Sequence, residues 1–214
     1  MAALLRAPKE CGSWFWGLEE VAAPGLEWAL ATAARMAGVL ERFELLSPVR
    51  LEYDWYVFGE GFTGVTSTVA LTTSLADPDL ADRLRGTRPV AFPTADIDDV
   101  HVVGAGAWFD ATGGRRRESR LIELSVSPLP IGLSAELCVH HDIWNWFDFS
   151  GHPHPEIYNA NAPRLALALA ELNSLLGVVA EPGEPTCFGA ATHDGVAIPE
   201  ADEDGLGPDL TDLL

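Results

Sequence analysis

The 214-residue chain is 48% hydrophobic and 21% charged, which suits one globular domain with a real core and excludes wholesale disorder. Thirteen Lys and Arg stand against thirty-two Asp and Glu, a net charge of −19, and residues 165–214 hold ten of those acids without a single cation. Binding to nucleic acid is disfavoured, because phosphate contacts need basic side chains to displace counterions. No apolar run is long enough to cross a bilayer, so no membrane role is expected.

The opening stretch, with Trp14, Phe15 and Trp16, reads as a loop or short strand. It lacks a clean apolar segment ahead of a small-residue cleavage site, which argues against a secretory leader. Cys11, Cys138 and Cys187 are far apart and form no CxxC pair, as expected of reduced thiols in a cytoplasmic protein. Leu26, Leu30, Ala33, Ala37 and Leu40 share one face at helical spacing, so a helix is predicted over 25–43, ended by Pro48.

Strand-like segments follow. Leu51–Phe58 is aromatic and β-branched, 59–64 is a glycine-rich turn, and Val65–Thr73 alternates like a half-buried strand. Ala76–Arg85 suggests a short helix. Val100–Phe109 and Arg120–Val126 are predicted to flank a turn at 110–117, with Leu133–Val139 as a fifth strand. After a Gly-, Pro- and His-rich loop, Asn161-Ala162-Pro163 is expected to open a helix carrying Leu165, Leu169, Leu172 and Leu176, closed by Gly177. Beyond Glu181 the chain turns to Pro, Gly and acid. The expected architecture is therefore α+β: an antiparallel sheet of about five strands flanked by an N-terminal and a C-terminal helix. It forms a single domain over 1–180, followed by an irregular acidic segment over 181–214 whose last fifteen or so residues are flexible.

Chemistry-bearing motifs are scarce. Gly59-Glu60-Gly61-Phe62-Thr63-Gly64 fits GxGxxG, but a strand follows instead of the helix a dinucleotide site needs. Nor can it be a kinase loop, since Lys9 is the last lysine in the chain. No GxSxG elbow or cysteine-hydrolase signature appears, no catalytic residue is assigned and no cofactor is implied. Arg115-Arg116-Arg117 with Arg120 is read as a solvated hairpin tip.

The densest set of potential ligands is His140, His141, Asp142, His152 and His154, donors suited to zinc, iron or manganese. They lack HExxH spacing or a distant histidine partner. Interleaved with them are Trp144 and Trp146, which with Trp55 are candidate anchors for a partner, and Asp142 and Asp148, which share the parity of the two tryptophans.

Asp142-Ile143-Trp144, Gly151-His152-Pro153-His154-Pro155-Glu156, Asn161-Ala162-Pro163-Arg164-Leu165, Leu176-Gly177 and Pro185-Thr186-Cys187-Phe188-Gly189 form a recognisable set. Over 142–189 the chain resembles uncharacterised actinobacterial proteins with a D-x-W…G-x-P-x-P-E…N-A-P-R-L pattern. These are similar in kind to immunity proteins encoded beside polymorphic toxins. The pattern does not require histidine at 152 or 154, which weighs against a metal site. The resemblance and the charge together imply an acidic protein that binds a basic partner, most concretely a toxin it inhibits. Two alternatives stand beside it: a metal-dependent enzyme built on the histidine cluster, and an adaptor subunit that docks through its acidic tail.

Overall fold

The computed structural model describes residues 4–129 and 132–214. In chain order its elements are β1 (Gly12–Gly17), α1 (Leu26–Arg42), β2 (Ser47–Val57), β3 (Gly61–Ala70), α2 (Leu80–Arg85), β4 (Asp96–Phe109), β5 (Arg115–Ser119), β6 (Glu123–Ser127), β7 (Ser134–Val139) and α3 (Pro155–Leu176). Three two-residue strands follow: β8 (Glu181–Pro182), β9 (Ala191–Thr192) and β10 (Gly195–Val196). The α+β class holds. The sheet, however, has eight strands and not about five, in the order β3-β2-β4-β6-β7-β1-β8 with β5 also on β4.

Every pairing in the sheet is antiparallel, and its period of two divides the side chains between two faces. One row runs Trp14, Leu137, Leu124, Val102 and Leu51, all buried. The helices cover this face: the apolar stripe of α1, including Leu30, Ala33, Met36 and Leu40, packs on it, and α3 contributes Leu165, Leu169 and Leu172. The adjacent row, Phe15, Glu136, Ser125, His101, Glu52 and Thr68, faces the uncovered side and is polar apart from Phe15. Among the described residues no helix is long and apolar enough to cross a membrane.

Four points where the structure decides or departs from the sequence expectations have physical causes. The Trp-Phe-Trp segment is the short strand of its two readings: as β1 it fills the slot between β7 and β8, with Trp14 and Trp16 inward. The arginine run is not a hairpin tip. Asp110 caps a tight turn, accepting from the backbone N–H of Thr112 and Gly114, so Arg115 to Arg117 already belong to β5. Arg115 pairs with Glu44 at 2.7 Å, Arg116 with Asp110 at 2.9 Å and Arg120 with Glu52 at 2.5 Å.

Third, α3 starts at Pro155, so Pro163 lies inside the helix. Both Pro155 and Pro163 are suitable first-turn prolines. The earlier one prevails because it lets Ile157 bury and sets Asn161 against the end of β4, where its Oδ1 accepts from Phe109 N–H and its Nδ2 donates to Phe109 O, both at 2.9 Å. Fourth, the core does not end at 180. Ala180, Phe188 and Val196 are buried, and Trp14 Nε1 donates to Thr192 O at 2.7 Å. The acidic end is irregular but docked: Gly207 N–H donates to Gly151 O and Leu210 N–H to Phe149 O, both at 2.8 Å.

The glycine motif at 59–64 spans the end of the β2–β3 turn and the first residues of β3. Gly59, Gly61 and Gly64 have φ of 83°, 94° and 79°, backbone that side-chain-bearing residues rarely adopt, which explains the glycines without a phosphate.

Candidate functional site

After β7 the chain makes a single 3-10 turn at Asp142–Trp144, which packs against α3. Its alternating side chains do not fall as the sequence suggests. Trp144 is fully buried, and so is Trp55, whose Nε1 donates to Ser67 Oγ at 2.8 Å. Neither is available as a surface anchor; both are core. Trp146 is half-buried, edge-on to Tyr158 with ring centroids 5.4 Å apart. Asp142 is buried as well, its Oδ1 accepting from Leu5 N–H at 3.4 Å, and burial pushes its carboxyl up to about 7. Asp148 organises its own loop: Oδ1 accepts from Ser150 N–H at 2.9 Å, Ser150 Oγ at 2.7 Å and His152 N–H at 3.0 Å.

The five proposed metal ligands also separate. His140 Nε2 lies 3.6 Å from Glu123 Oε2. His141 turns inward, and burial pulls its imidazolium down to about 4. His152 is exposed beside Ser150, and His154 Nε2 sits 2.8 Å from Asn145 O at the start of α3. Among the described residues no three His, Cys, Asp or Glu side chains are grouped to hold a metal ion. Consecutive positions such as 140 and 141 on an extended chain point to opposite sides, which is why a dense cluster in sequence disperses in space.

What the segment builds instead is one wall of a cavity of about 250 Å³. Phe147 and Phe149 face Phe188 from the 186–190 loop, with the Phe149 and Phe188 rings edge-to-face at 5.5 Å. Pro199, Pro208 and Leu210 of the docked C-terminal segment supply the third wall. The fit is close: a Cβ on Gly207 would lie 2.5 Å from the Phe147 ring, and one on Gly151 2.6 Å from Gly207 O. Asn145, only 8% exposed, joins the lining and holds Phe188 O through Nδ2 at 3.2 Å. Its Oδ1 has no hydrogen-bond partner. The neighbouring Cys11 thiol is directed at His141 O, 3.8 Å away. Cys187 lines the cavity and is exposed.

One carboxylate, Asp148, lines this cavity, and Glu200 and Asp209 follow the lining residues Pro199 and Pro208 in the chain. Of the ten acids in 165–214, Glu171 alone, among the described residues, lies within salt-bridge distance of a cation, Arg42. A second uncompensated group sits on the uncovered sheet face. Burial and the nearby charges of Asp99 and Asp54 raise Asp98, partly offset by His101, and burial with Glu10 and Asp99 raises Glu136, partly offset by a hydrogen bond with Cys138 and by His101.

Of the candidate residues read from the sequence, Asp148 alone lines this cavity, and its opposing walls were not anticipated. The available signal was Phe188 and Leu210, isolated large apolar residues in a Pro-, Gly- and acid-rich stretch that has no other use for them. Comparison of the chain with protein-family models, with curated proteins and with solved structures found no match to any of them.

Proposed function

We propose that this chain is a binding protein for a basic polypeptide, most concretely an immunity-protein-like inhibitor that neutralises a basic toxin inside the cell. The observation that carries this is that the C-terminal segment, whose acids other than Glu171 have no salt-bridge partner among the described residues, contributes Pro199, Pro208 and Leu210 to the wall of an apolar cavity. Acids that merely keep a protein dissolved can trail in a free tail or scatter over the surface. Here the segment bearing them is anchored by backbone hydrogen bonds to Gly151 and Phe149, which holds its negative charge on the folded body. Such a field speeds encounter with a positive partner, and an apolar recess then supplies contact area that charge alone does not.

The free thiols of Cys11, Cys138 and Cys187 agree with a reducing compartment. The resemblance over 142–189 supports the same reading, since its Pro-Thr-Cys-Phe-Gly segment supplies Thr186 to Gly189 to the wall of this recess.

The test is binding to the product of the adjacent gene. A stoichiometric complex is expected, with an association rate that falls roughly tenfold or more between 50 and 500 mM salt. Glu200→Lys/Asp209→Lys should slow association further at low salt. Absence of a complex, or a rate indifferent to salt, would remove the proposal.

A further inference from the structure

We infer that the outer edge of β3 takes up one extended strand of the partner, a strand in which Lys or Arg alternates with apolar residues; this rests on the proposed binding of a basic polypeptide. Among the described residues β8, β5 and β3 each pair with a neighbour on one side only. Two of these edges are blunted. Strand β8 is two residues long and ends in Pro182, and β5 carries Arg115, Arg116, Arg117 and Glu118. Strand β3 has ten residues with no charge and no proline, and not one of them is buried. Its register is regular from Thr66 to Ala70, about the length of an ordinary strand. The one edge left open is therefore the one long enough to pair, and its free N–H and C=O groups suit an added strand.

The two faces of β3 set the composition of that strand, because its side chains alternate as those of β3 do. Val69 extends the buried row that ends in Leu51, and Val65 and Ser67 share its side. Both valines pack on the core yet stay half-exposed, so apolar residues are favoured beside them. On the other face Thr66 and Thr68 stand next to Asp54 and Glu52 of β2. Glu52 is paired with Arg50 and Arg120. Asp54 has no cation within salt-bridge distance among the described residues, nor have Asp98 and Asp99, which lie where the register of β2 and β4 shifts. Burial and then the charges of Asp99 and Asp54 raise Asp98, as expected of carboxylates that repel one another. An added strand lies about 10 Å from β2, a distance that the long stems of Lys and Arg cover. A second copy of β3 would satisfy the backbone but brings no cation, and the net charge of −19 opposes its approach.

The probes are three capped peptides: Lys-Val-Lys-Val-Lys-Val-Lys, the reordered Lys-Lys-Val-Val-Val-Lys-Lys, and Glu-Val-Glu-Val-Glu-Val-Glu. At millimolar concentration the first should slow amide hydrogen exchange roughly threefold or more at those residues of Thr66–Ala70 whose N–H points away from β2, while the other two leave it near the free rate. Backbone methylation then tells one edge of the peptide from the other. Methyl groups on the lysine nitrogens of the backbone and on the valine nitrogens block opposite edges, so one of these two peptides should keep the protection and the other lose it. Thr68→Lys should weaken binding of the alternating lysine peptide and strengthen that of the glutamate peptide. Asp54→Asn/Asp99→Asn should weaken the lysine peptide roughly threefold or more.

No protection by the alternating lysine peptide, or equal protection by it and the reordered one, would overturn the inference in the parent protein without recourse to any variant. An equal effect of the two methylated peptides would do the same. Either result would leave a salt-dependent complex with the partner intact, so the two proposals fail separately. Unchanged binding of the lysine peptide to Asp54→Asn/Asp99→Asn would overturn the part assigned to the carboxylates, and with it the alternation of cation and apolar residue.

Discussion

Asp142 and His141 are neighbours in the chain, both buried, and titrate in opposite senses. Burial raises the Asp142 carboxyl to about 7, so between roughly pH 4 and 7 the folded protein holds a proton that the unfolded chain has released. Stability from this residue is complete below that window and is lost as pH rises through it. Burial lowers the His141 imidazolium to about 4, so the unfolded chain takes up a proton near pH 6.5 that the folded one accepts only near 4. Stability from this residue is lost as pH falls through that range. Asp142→Asn keeps an oxygen acceptor for Leu5 N–H and removes the buried charge. Urea midpoints should show the variant more stable than the parent at pH 8, by a few kcal/mol at most, and the difference should vanish by pH 4. A gap that persists unchanged at pH 4 would mean that Asp142 matters through packing and not through its proton.

Two glycines separate the demands of sheet and helix. Gly106 of β4 is crossed closely by the chain leaving α1: a Cβ there would overlap Leu45 O and fall 2.7 Å from Leu121 Cδ2. Gly38 lies inside α1, and a methyl group added there would meet nothing within 4 Å. Gly106→Ala should therefore cost about 1–3 kcal/mol through overpacking, while Gly38→Ala should add about 0.5–1 kcal/mol by restricting the unfolded chain. Chemical denaturation of the two variants, with opposite signs, checks both. The same division between local and distant causes governs what the sequence discloses. Helix α1, predicted over 25–43, spans Leu26–Arg42, and β7, predicted from Leu133, starts at Ser134, because periodicity and nearby breakers specify such elements. Strand β8 is different. Two residues long, it has no pattern of its own and exists because Phe15 meets Glu181 across almost the whole chain. The candidate site follows suit. Its 145–149 wall is marked in the sequence by aromatic density, but which aromatics face the cavity depends on a turn at Asp142–Trp144 that sends Trp144 inward. Its other walls come from a segment whose composition resembles that of disordered chain, in which a few apolar residues and backbone hydrogen bonds suffice for docking.

At the scale of the whole molecule, charge decides how copies of the chain meet. The sheet ends in β3, whose outer backbone edge is paired with no other strand among the described residues. From Gly61 to Ala76 there is no charged side chain, and no proline interrupts the edge. Such strands template pairing with another chain, and proteins usually blunt them with Lys, Pro or a bulge. Only the bulge is present, where the register shifts between Asp54 and Tyr56, and it leaves Thr66 to Ala70 regular. At neutral pH the net charge of −19 holds two copies apart over the remainder of the surface. That repulsion disappears near the isoelectric point, about 4.4. Light scattering should then report association as pH falls toward that value, with far-UV circular dichroism still that of the folded chain. Thr68→Lys places a charge on the exposed edge at the centre of the regular stretch, next to Glu52 on β2, and should keep the protein monomeric about half a pH unit or more closer to the isoelectric point. If parent and variant associate at the same pH, the edge is not where the copies meet, and loss of charge over the surface as a whole accounts for the behaviour.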